Sequence, residues 1–130
     1  MTALSDYSEL AVLNLLFKNT AFTAPNAYLG LFTSAPNDAG GGTEVSGNNY
    51  ARVQIDTKMA SASSGAISSN ANITFPAASG GAFGTITHIG IFDASSSGNL
   101  LAHGALSASK TISDGDTFQI NSGSLTITID

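Results

Sequence analysis

The sequence has no cysteine and no tryptophan, and it carries few charges of either sign. Without cysteine there can be no disulfide and no thiolate metal site. The missing thiols also suit a protein assembled in a reducing cytoplasm. Only 10% of the residues are charged, against about 25% in ordinary soluble domains. The basic residues are Lys18, Arg52, Lys58 and Lys110, within a net charge of -5. Displacing counterions from nucleic-acid phosphates needs clustered cations. These cations are scattered, which excludes nucleic acid as a partner and disfavours anionic membranes. No apolar run reaches the ~18 residues of a membrane-spanning helix. Met1-Thr2-Ala3-Leu4-Ser5-Asp6 has no basic stretch of the kind that opens an export signal, so none is expected.

What is present is an ordinary hydrophobic share, 42%, with polarity supplied by Ser, Thr, Asn and Gly. Thr suits a pleated surface, and the others suit tight turns. A chain of 130 residues has the size of one domain and can bury roughly two-thirds of its unfolded surface. Residues 1–130 therefore read as a single domain, with an N-terminal helix over 5–18 and a β region over 26–130.

The helix reading rests on Leu10, Leu13, Leu16 and Phe17, which recur at helical spacing. Ser5 or Asp6 can cap it, with Glu9 placed as in a capping box on Asp6. Val12 and Leu15 widen the apolar face beyond what one β-sheet needs, so the helix is expected to be well covered, either by its own sandwich or by docking to a partner. After Pro25 the period changes to two. Strands are expected at 28–32, 52–56, 72–75, 85–92, 100–106, 111–112, 118–120 and 125–129. The pair 85–92 and 100–106 forms a hairpin across the loop 94–99. Seven or eight short strands with regular turn signals predict a mainly β fold, an antiparallel β-sandwich or a barrel. Residues 36–44 and 59–72 read as long loops.

Candidate chemistry is sparse. His88 and His103, on strands expected to pair, could join Asp93 around a metal. The plainer reading is two ordinary strand histidines, since no further ligand cluster supports a site. Asp114-Gly115-Asp116 lacks the remaining oxygen ligands of a calcium loop and reads as a turn. Asp38, Glu44 and Asp56 are the carboxylates nearest to a glycosidase pair. They lie in or beside a glycine loop, with no tryptophan platform. Gly40-Gly41-Gly42 is followed by Thr43-Glu44, not by the Lys-Ser or Lys-Thr of a phosphate loop. No G-x-S-x-G elbow occurs. The expectation is a non-enzymatic protein without cofactor, metal or catalytic residues.

One wider pattern stands out. It runs through Tyr28-Leu29-Gly30-Leu31-Phe32-Thr33-Ser34-Ala35-Pro36, Gly42-Thr43-Glu44-Val45-Ser46-Gly47 and Tyr50-Ala51-Arg52. It resumes at Ile73-Thr74-Phe75-Pro76-Ala77-Ala78, Gly84 to Asp93, and Gly98 to Leu106. Over nearly the whole chain this resembles small bacteriophage proteins commonly labelled tail fibre proteins. Phe83 stands where many relatives carry tryptophan. The resemblance implies a virion component whose partner is the major capsid protein or another virion protein. These 130 residues contain no repeat or heptad from which a shaft is built. A capsid decoration or cement protein is therefore the first expectation, and a tail or tail-fibre-associated module the second. A carbohydrate-binding receptor module comes third, because tryptophan is absent and tyrosine sparse. By analogy with cement proteins, a homo-oligomer is expected, with a trimer as the specific guess.

Overall fold

The computed structural model describes residues 2–129. The chain opens with β1 (Thr2–Leu4) and α1 (Asp6–Phe17). There follow β2 (Tyr28–Ser34), β3 (Thr43–Glu44), β4 (Val53–Gln54), β5 (Ala66–Ser68) and β6 (Ile73–Thr74). The longest strands come next, β7 (Gly84–Phe92) and β8 (Leu100–Ile112), and then β9 (Gln119–Ile120) and β10 (Thr126–Thr128). One six-stranded sheet has the order β1-β8-β7-β2-β3, with β4 also paired to β2. The strand pairs β5–β10 and β6–β9 form two small sheets. All pairings are antiparallel, and the arrangement is a sandwich, not a closed barrel.

The alternation of β2 and β7 explains the core. Leu29, Leu31, Ile89 and Ile91 sit on one face of the large sheet and are buried. They pack with Ile73, Phe75, Phe118 and Leu125 from the small sheets and their flanks. The alternate residues Phe32 and Phe92 occupy the other face, where their rings stack at 6.0 Å. This is why both strands read as apolar on two sides. Gly30 and Gly90 face each other across the β2–β7 ladder. A Cβ on Gly90 would come within 2.7 Å of the Phe32 ring. The glycine is what lets the two phenylalanines lie over the strand.

Several expected elements change shape. The strand expected at 52–56 is cut to Val53–Gln54, because Ile55 turns helical and Asp56–Lys58 forms a 3-10 turn. The stretch 111–112 is no separate strand but the end of β8, where Ile112 pairs with Gly84. The turn at 113–116 does form, with the Asp116 amide donating to the Ser113 carbonyl at 2.9 Å. It joins the large sheet to β9 and so does not close a hairpin. The 85–92/100–106 hairpin is present. Short strands β3 and β5 lie inside the two expected loops.

The helix forms where expected, and of the two candidate caps it is Ser5 that caps it, its side chain accepting from the Ser8 amide; the capping box of Glu9 on Asp6 does not form. Ser5 is fully buried. Its hydroxyl accepts from the Ser8 amide at 3.3 Å and donates to the Leu100 carbonyl. Its own amide donates to the Leu101 carbonyl at 3.0 Å. Ser5→Ala is expected to cost about 1–2 kcal/mol, the upper range for lost caps, because it also strips the Leu100 carbonyl of a donor. A shift in the urea midpoint measures it. A loss within ~0.5 kcal/mol would mean that water replaces the hydroxyl.

Candidate interaction surface

The residues weighed in the sequence as catalytic or metal candidates do not converge on one centre. His88 Nδ1 lies 2.8 Å from Thr87 Oγ1, and His103 Nε2 lies 2.7 Å from Asp38 Oδ1. The register sets His88 opposite Ala105 and His103 opposite Gly90, so the rings share a face but are not direct partners. Asp93 instead accepts from the Asn99 amide at 2.7 Å and its side chain at 2.8 Å. Those bonds, the side-chain one first, hold the Asp93 carboxyl below the usual carboxylate range. Asp116 accepts from the Ser113 amide, and Asp56 from the Ala27 amide. Among the described residues no three His, Asp or Glu side chains group as metal ligands.

Glu44 has a quite different environment from the one its loop position implied. Arg52 donates to it through Nη2 at 2.7 Å and Nε at 2.8 Å, a two-point grip. The same guanidinium donates to the Ala94 and Ser97 carbonyls and lies 3.6 Å above the Phe92 ring. Tyr50 donates to Glu44 at 2.6 Å and accepts from the Leu31 amide at 3.0 Å. Gly30 makes room for this cluster, since a Cβ there would stand 2.7 Å from Glu44 Oε2. The cluster fastens β2, β3 and the loop 93–99 together. It was invisible in the sequence, where Arg52 reads as one scattered cation.

Burial, and then the bond to Glu44, raise the Tyr50 phenol well above its ordinary 10.0. The sign follows from the favoured neutral form. The stabilisation is complete below pH 10.0 and is lost as pH rises toward the higher folded value. Stability measured in urea is therefore expected to fall as pH climbs past about 10, and less steeply in Tyr50→Phe. Identical slopes in the two proteins would show that Tyr50 ionises freely.

An open groove of about 590 Å³ runs between β8 and β9–β10, lined in part by Leu106, Lys110, Gln119 and Asn121. Its one aromatic, Phe118, is buried in the core and offers no ring for a sugar to stack upon.

The most conspicuous surface is α1. Its start is pinned by the Ser5 bonds, by Ser8 Oγ donating to the Leu101 carbonyl at 2.8 Å, and by the Asp6 amide donating to the Asp38 carbonyl at 3.0 Å. Beyond that first turn none of its residues is buried. Leu10, Leu13, Leu15, Leu16 and Phe17 are all exposed. The expectation of a well-covered helix is therefore wrong within one chain: the sandwich already fills its core from its own sheets. After Asn19 in the left-handed conformation, the chain folds back and sets Phe22 edge-on against Tyr7 at 6.3 Å.

Residues 3–128 match a protein family described as Podophage GP4 fiber I protein gp80. The chain belongs to this family. No curated protein matches it. The match to the podophage fiber family covers all of α1 and every strand from β2 to β10, so the exposed helix lies within the family region. Membership makes the chain a phage virion component.

Proposed function

We propose that the chain is a non-enzymatic structural module of the virion's fibre apparatus, acting as a homotrimer bound to another virion protein. The family description, which names a fiber protein and spans residues 3–128, carries this reading. The pinned and uncovered α1 supports it, because a large exposed apolar patch marks an interface. Phage lacking the gene should build heads that hold their DNA normally but adsorb poorly to the host. Capsid decoration is the second reading, favoured by the compact body and by the lack of any repeat in these 130 residues. It expects the opposite phenotype: normal adsorption, with heads that lose DNA on heating or osmotic shock. Binding only to the built capsid stabilises it by mass action.

A further inference from the structure

We infer that α1, together with Phe22, is the surface through which copies of this chain join, three helices packing around a common axis. The inference rests on the homotrimer of the proposed function and assigns its contact.

The first argument is area. On the outward side of the helix the exposures are Tyr7 40%, Leu10 61%, Leu13 54%, Leu16 65%, Phe17 79% and Phe22 38%. With about 200 Å² for a whole large side chain, they amount to roughly 650 Å² per protomer, most of the ~800 Å² that each partner gives a standard interface.

The second argument is breadth. At about 100° per residue, Tyr7, Leu10, Leu13, Leu16 and Phe17 cover roughly half of the helix circumference. A helix with a single helical neighbour needs only a narrow seam. A half-circumference stripe suits a helix with a neighbour on either side, the situation in a closed three-fold ring.

The third argument is charge. The chain carries -5, so two copies repel over most approaches. From Leu10 to Phe17 the helix has no charged residue, and its one strongly polar side chain is Asn14. A second copy meets this neutral stretch with one of the same length and chemistry. The bonds at Ser5, Asp6 and Ser8 fix the helix before association, which reduces the ordering cost of joining.

The test uses the full chain, a Leu13→Gln/Leu16→Gln double variant and, separately, Phe17→Ser. Native mass spectrometry and light scattering over a concentration series read the mass, and circular dichroism with a melting curve reads the fold. These side chains are exposed, so the β body should keep its spectrum and its urea midpoint at low concentration. The expected result is a trimer for the parent and a monomer for the double variant, with the dissociation constant raised at least about 100-fold. Phe17→Ser should weaken association in the same direction. A variant that stays fully trimeric overturns the α1 assignment and leaves the homotrimer standing. A parent that is monomeric at every concentration overturns the homotrimer itself. A dimer that dissociates on substitution overturns the three-helix arrangement.

Discussion

Arg52→Ala is expected to lower the unfolding free energy by about 3 kcal/mol, the scale for removing one member of a buried ion pair. The Arg52 side chain is only 7% exposed and that of Glu44 23%. Truncation leaves the partly buried Glu44 carboxylate with only Tyr50 as donor. It also removes the donor from the Ala94 and Ser97 carbonyls and uncovers the Phe92 ring. Arg52→Lys should recover little, because an ammonium lacks the planar fork that grips both carboxylate oxygens. Replacing both partners, as Arg52→Met with Glu44→Leu, should cost less than Arg52→Ala alone, since no uncompensated charge is left. Urea unfolding of these variants checks the order. A loss under about 1 kcal/mol for Arg52→Ala would place the pair among surface salt bridges.

The second large effect is expected at Phe75, where alanine should cost about 3–5 kcal/mol. Phe75 is 2% exposed. Its ring lies parallel to Tyr50 at 6.3 Å and edge-on to Phe118 at 5.7 Å. Its amide donates to the Phe118 carbonyl at 2.9 Å, so the residue fastens the β6–β9 layer while filling the core. A cavity here opens beneath both Tyr50 and Phe118. Phe75→Leu fills much of that space and should cost clearly less. Equal losses for the two would indicate that ring packing, not volume, decides.

Local pattern revealed the helix, the switch of period after Pro25 and the β7–β8 hairpin, because each depends on residues close in sequence. Long-range pairing was hidden. Strand β5 lies in a Ser- and Ala-rich stretch without period, and it becomes a strand because Ser68 pairs with Thr126 from the far end of the chain. The grip of Arg52 on Glu44 depends on the space above Gly30, which no spacing rule exposes. The apolar face of α1 was legible, but the spacing of its leucines is the same whether the cover comes from its own sandwich or from elsewhere. Only the filled core shows that the sandwich does not supply it. His88 and His103 do lie on neighbouring strands, as their spacing implied. The register then offsets them, and Asp38 arrives from a loop to engage one alone.

The large sheet stops abruptly on both sides. At one side lies β1, three residues long, and at the other β3 and β4, two residues each. The 13 residues of β8 would otherwise present a long template, yet β1 pairs with its stretch Ala102 to Gly104. Past that point Leu106 to Ser109 stand opposite Thr87 alone, and Lys110 follows the distortion. Short, bent or charged margins are how sheets avoid recruiting stray strands. Copies that meet therefore find little backbone along this sheet to zip onto. The homotrimer proposed above would then have to form through side chains, which limit the number of neighbours where strand addition would run on into fibrils.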